Sequence, residues 1–289
     1  MTLGFWLSDA CLVGVQSALV TLPRGRAPAR VEALAQRLSG RAWALVPLAS
    51  IVLVVVAIRA AGATADGLAW LALVAVPPLA AAALGATMRG GRPPLALLAI
   101  PLFALAWWRR ETLLGEGAAV ALSALSCVTL GVLLTAVAPR GWLKLGIVAM
   151  AAVDAYLVGS ELLQPANDVL NAAAPPAHLP QLQRALLGDA LIGYGDLFVA
   201  GVFGAIVAAE ARAERPGDPE RTASGRWALV TLALALAFDL LFLVLDVLPA
   251  TVPVALALLL REGLRRRAGG PARGPASRAP SSARTPARE

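Results

Sequence analysis

The chain has 289 residues, 58% of them hydrophobic, with a mean hydropathy of +0.73 and a formal net charge of +7. Such hydropathy excludes a soluble globular domain and points to an all-α fold, a polytopic bundle of transmembrane helices. Two cysteines in apolar runs, Cys11 and Cys127, and the single histidine, His178, cannot assemble a metal-ligand set, so neither metal nor cofactor is expected. Arginines concentrated in loops and in the C-terminal tail speak for membrane orientation, not nucleic acid.

About nine apolar stretches approach the ~20 residues that cross a bilayer: 3–22, 42–60, 67–88, 93–108, 116–137, 141–160, 186–209, 227–247 and 249–264. The first lacks the basic start of a signal peptide and is interrupted by Ser8, Asp9 and Gln16, so it is read as a retained span. Trp43, Trp107, Trp108, Trp142 and Trp227 fall at predicted span ends, where interfacial anchors belong. The odd-numbered connections carry most of the arginines: Arg24, Arg26, Arg30, Arg37 and Arg41, then Arg89 and Arg92, then Arg140 with Lys144, then Arg212, Arg215, Arg221 and Arg226. The even-numbered ones carry Arg59, Arg109, Arg110 and Arg184. The positive-inside rule then predicts an outside N-terminus and a cytoplasmic C-terminus.

The longest outer connection, 161–183, contains Pro165, Pro175, Pro176 and Pro180, with Leu162, Leu163, Val169 and Leu170 at helical spacing. It reads as a short amphipathic segment followed by an irregular loop. Residues 1–267 form the membrane domain, with spans one to five in 1–140 and the chemistry in spans six to nine, 141–264. The tail 268–289, rich in Pro, Ala, Ser and Arg, is expected to be disordered and to touch anionic lipid.

Carboxylates inside membrane helices are costly and mark function. Asp196 closes Gly193-Tyr194-Gly195-Asp196 in span seven, and the two glycines let another backbone approach it. Asp154 in span six lies ~13 residues, or ~20 Å of helix, from its cytoplasmic end, and Asp196 lies about as far from its own. The small residues Gly201, Gly204, Ala205 and Ala208 predict close packing of span seven against a partner. Two carboxyls in contact share one proton and titrate as a unit, a state suited to peptide hydrolysis. Asp9 and Asp239 lie at a similar depth and Asp189 and Asp246 nearer the outer face; for these a helix–helix hydrogen bond is the plainer reading, and a line of acids is also consistent with a proton path. Pro249 and Pro253 cannot donate helical hydrogen bonds, so carbonyls near Leu248-Pro249-Ala250-Thr251 are freed for a substrate strand, unless Pro249 merely opens a helix.

These residues resemble the presenilin and signal peptide peptidase family of intramembrane aspartyl proteases. That family has an aspartate in the sixth of nine spans, Gly-x-Gly-Asp in the seventh and Pro-Ala-Leu opening the ninth. The resemblance implies that Asp154 and Asp196 are the catalytic pair. It implies further that Gly193, Tyr194, Gly195, Pro249, Ala250 and Thr251 shape the site, and that the substrates are transmembrane segments. The predicted orientation is similar to the signal peptide peptidase branch. Val153 stands where the family has tyrosine, with Tyr156 nearby, and Thr251 stands where it has leucine. Alternative readings are a proton-coupled transporter, an inactive relative and, with less support because Leu197 follows the motif, a prepilin-type peptidase. The sequence indicates no oligomeric state.

Overall fold

In a computed structural model of the full chain, residues 2–29, 33, 61–160, 179–214, 219–245 and 248–268 are described. The second predicted span, most of the 161–183 connection, Asp246 and the tail beyond 268 lie outside them. The described chain is mostly helical: α1 (Leu3–Ala18), α2 (Ala61–Ala82), α3 (Ala99–Trp108), α4 (Leu113–Val137), α5 (Arg140–Gly159), α6 (Tyr194–Glu214), α7 (Pro219–Asp239) and α8 (Val252–Ala268). Two short strands, β1 (Arg184–Leu187) and β2 (Ala190–Gly193), precede α6.

Four helical stretches are long and apolar enough to cross a membrane: Ala69–Thr87, Leu113–Val137, Tyr194–Ala213 and Ala223–Leu243. They mark the chain as a membrane protein. The expected count of about nine is not met among the described residues, for local reasons. The first predicted span gives a helix of only 16 residues. The fourth is a short apolar helix, Pro93–Trp108. In α5, Arg140, Lys144 and Asp154 interrupt the apolar window, and α8 carries Arg261, Glu262 and a basic last turn. The eighth predicted span begins earlier than expected, and its α-helix stops at Asp239 before a 3-10 turn over Leu240–Leu243.

Span seven is also corrected. Residues 186–193 are not helix but belong to an antiparallel hairpin, with Arg184 opposite Gly193 and Leu187 opposite Ala190. Its two-residue loop is Gly188-Asp189, and Gly188 adopts a φ of 56°, which favours glycine. A Cβ at Gly188 would lie 2.6 Å from Ser8 Oγ, so α1 closes over the turn. The Glu116 carboxylate in the first turn of α4 accepts the Gly188 N–H at 2.7 Å. The fold is thus helical with one small sheet at the mouth of α6.

Helix α6 is the axis of the bundle. Leu197, Phe203 and Ile206 on it are fully buried, and it packs on α4, α7, α5, α1 and α8. The expected close approach is present and is made by glycine. A Cβ on Gly201 would lie 2.6 Å from Cys127 O of α4, one on Gly131 of α4 2.5 Å from Gly201 O, and one on Gly204 2.5 Å from Leu19 O. Backbone-to-backbone contact of this kind replaces the hydrophobic effect, which lipid does not supply between helices. By contrast α7 and α5 expose Leu229, Leu236, Leu145, Met150 and Val153. A hydrocarbon surround satisfies such surfaces.

Candidate active site

The Gly193-Tyr194-Gly195-Asp196 stretch has a local explanation. Helix α6 starts at Tyr194, which makes Gly193 its N-cap and Asp196 its third residue. The Asp196 Oδ2 reaches back and accepts the Gly193 N–H at 3.1 Å. This is the return half of a capping box, in which an acid three residues into a helix satisfies the cap's own N–H. A Cβ at Gly193 would meet that same oxygen at 2.9 Å, whereas one at Gly195 meets nothing within 4 Å. Gly193 gives Asp196 room to fold back, and Gly195 leaves the space beside it open.

Asp154 comes from α5, and Thr251, buried at 3% exposure, comes from the turn before α8. The Thr251 hydroxyl donates to Asp154 Oδ2 at 2.7 Å. Both acids face one cavity of about 490 Å³, lined by Ala149, Met150, Val153, Asp154, Gly193, Gly195, Asp196 and Thr251. Apart from the two carboxyls and Thr251 the lining is aliphatic or glycine.

The remaining sequence-predicted residues lie elsewhere. Tyr194 does not line the cavity. Its hydroxyl pairs with Ser126 Oγ of α4 at 2.7 Å, and since Ser126 itself donates to Ser123 O, Tyr194 is the donor. Because i and i+2 point to different sides of a helix, Tyr194 anchors α6 to α4 while Asp196 faces α5. Pro249 is buried and Ala250 half-buried, and neither lines the cavity. The Ala250 carbonyl accepts the Gln16 Nε2–H at 3.0 Å, and Asp196 O accepts the same amide at 3.4 Å. Gln16, 1% exposed, was read in the sequence only as an interruption of span one. A lone carboxamide in an apolar run is the signal that pointed to it, since such a group must find partners when buried.

Asp9 and Asp239 are away from this cavity and face each other where α1 packs on α7. Asp189 lies in the hairpin loop. Toward the other ends of the cavity's helices α5, α6 and α8 lies a second polar group, buried at Glu210 and Arg261 and open to the surface at Arg265. Lys144 Nζ lies 2.7 Å from Glu210 Oε1 and 2.8 Å from Glu262 Oε1, and Arg261 and Arg265 both pair with Glu210 Oε2. It ties together the three helices that bear or abut Asp154, Asp196 and Thr251. Among the described residues no cluster of three or more His, Cys, Asp or Glu is placed to hold a metal. No protein-family model, no curated protein and no solved structure matches the chain.

Proposed function

We propose that this protein is an intramembrane aspartyl protease of the presenilin and signal peptide peptidase type, with Asp154 and Asp196 as its catalytic pair. The observation that carries the reading is that these two acids, distant in sequence, line the same aliphatic cavity, each with one oxygen held by a donor, Thr251 Oγ1–H or Gly193 N–H. With one proton between them, the ionised carboxyl removes a proton from water. The resulting hydroxide adds to the scissile carbonyl, whose oxygen is hydrogen-bonded by the protonated carboxyl. Collapse of the tetrahedral species breaks the C–N bond, and the departing nitrogen takes up the proton first removed from water. No covalent intermediate forms.

In this reading the substrates are apolar membrane segments reaching the cavity past α5, whose Met150 and Val153 are exposed. Unwinding such a segment requires replacement hydrogen bonds, and β2 runs into the cavity at Gly193 with backbone to offer. About nine spans, an outside N-terminus and a cytoplasmic C-terminus belong to the same proposal. The test is cleavage of a membrane-spanning peptide by the purified protein in detergent. Wild type is expected to cut, with Asp154→Ala and Asp196→Ala each abolishing cutting and Asp9→Ala retaining most of it. Equal loss in Asp9→Ala refutes the assignment of the pair.

A second reading, a proton-coupled transporter, is favoured by the Asp9–Asp239 juxtaposition alone. It predicts ion-dependent flux in proteoliposomes abolished by Asp239→Asn, and no cleavage. It gives no reason for the Gly193 and Gly195 pair.

A further inference from the structure

Helix α1 contributes no side chain to the cavity lining, yet one of its residues touches both halves of the site. Gln16 sits two residues before the end of α1, buried at 1% exposure. Its Nε2 donates to the Ala250 carbonyl at 3.0 Å and toward the Asp196 carbonyl at 3.4 Å. We propose that Gln16 is a positioning residue for the acid pair, a carboxamide cross-tie fixing the Pro249–Thr251 turn against the first turn of α6. The inference rests on the protease reading for its kinetic consequence, but the tie itself is a structural claim.

Each end of the tie leads to one acid. At one end, Asp196 is held through its own backbone carbonyl. At the other, Ala250 precedes Thr251, whose hydroxyl holds Asp154 at 2.7 Å. The turn is otherwise fixed by the Val252 N–H to Pro249 O and the Ala255 N–H to Thr251 O, both at 3.1 Å, and the Ala250 carbonyl between them takes its donor from α1. Pro253 has no N–H, so the Ala250 carbonyl cannot take a turn bond from three residues on, as Pro249 O takes one from Val252, and its donor comes from outside the turn. A carboxamide suits the place. It is neutral, has two N–H bonds to share between two carbonyls, and is buried at 1% exposure. Ser17, its neighbour, is equally buried but its hydroxyl has no hydrogen-bond partner, so it serves as an internal control.

The experiment compares Gln16→Met, which keeps shape and removes both donors, with Gln16→Asn and Ser17→Ala, in the full chain in detergent. Three quantities are read: kcat and KM on a membrane-spanning peptide, affinity for a peptide carrying a hydroxyl isostere of the tetrahedral intermediate, and amide hydrogen exchange at Val252 and Ala255. Gln16→Met is expected to lower kcat about 10–100-fold, as losing a buried hydrogen-bond donor should. KM stays within about twofold, because the cavity lining is intact, while isostere affinity falls with kcat. Exchange at Val252 and Ala255 accelerates. Gln16→Asn, shorter by one methylene, falls between Met and wild type in all three, and it carries the test if Gln16→Met does not fold. Ser17→Ala is expected to match wild type. If wild type neither cleaves the peptide nor binds the isostere, the protease reading fails and exchange alone decides the tie. Unchanged exchange in Gln16→Met and Gln16→Asn, or the same acceleration in Ser17→Ala, overturns it.

Discussion

Replacing Gly193 by alanine, set against the same change at Gly195, tests whether the two glycines have separate tasks. A Cβ at 193 would lie 2.9 Å from Asp196 Oδ2, while a Cβ at 195 has nothing within 4 Å. Ordinary carbon contact begins near 3.4 Å, so the carboxylate must withdraw by about 0.5 Å. The withdrawal also lengthens the 3.1 Å bond from Gly193 N–H, a bond to a charged group of about 1.5–3 kcal/mol. If Asp196 is one of the proposed catalytic pair, a displacement of this size with a loosened bond corresponds to a fall in kcat of about 10–100-fold. Gly195→Ala leaves Asp196 in place and instead occupies cavity space beside it, so its effect belongs in KM. Steady-state cleavage of a membrane-spanning peptide, alongside a thermal melt showing both variants folded, makes the comparison. Equal kcat in Gly193→Ala and wild type refutes the argument, and so does a kcat loss in Gly195→Ala as large as that in Gly193→Ala.

Thr251→Val removes the donor to Asp154 at nearly constant shape, and kcat is expected to fall about tenfold, with Thr251→Ser retaining most of the rate. Gly201→Val forces a side chain onto the Cys127 carbonyl and is expected to lower stability by about 3 kcal/mol or more in a denaturation assay, whereas Gly146→Ala, which meets nothing within 4 Å, stays near wild type. Glu210→Gln removes the carboxylate that Lys144, Arg261 and Arg265 share, and a loss of about 3–5 kcal/mol is expected, read as a depressed Tm even where Asp154 and Asp196 are intact.

The candidate site was legible wherever chemistry and spacing coincide. Gly193 and Asp196 are three residues apart because a helix cap demands that interval, and a carboxylate in an apolar run is conspicuous. Thr251 was visible only as part of a motif, and its bond to Asp154 spans 97 positions that no local pattern connects. The hairpin was missed because Leu186, Leu187, Leu191 and Ile192 continue the apolar run of α6, and a short apolar run does not distinguish strand from helix. The Gly188-Asp189 pair was the punctuation that marked it. Tyr194 was grouped with the site by its place between the glycines, yet adjacent helical residues point apart, and its partner Ser126 lies on another helix. Apolar windows are broken where charges serve the bundle's interior: Lys144 and Arg261 interrupt the hydropathy of α5 and α8 but pair with Glu210 inside.

The crossing of α4 and α6 at Gly131 and Gly201 has a mechanical consequence. Two backbones in direct contact act as a fulcrum, since neither can slide past the other without steric overlap. Asp196 lies five residues from Gly201, a lever arm of ~7.5 Å. Rocking α6 by about 10° about that point moves the start of the helix by only ~1.3 Å, while Glu214, thirteen residues beyond, swings through ~3.4 Å. The short arm keeps the carboxyl nearly still, and the ion pairs of Glu210 restrain the long one.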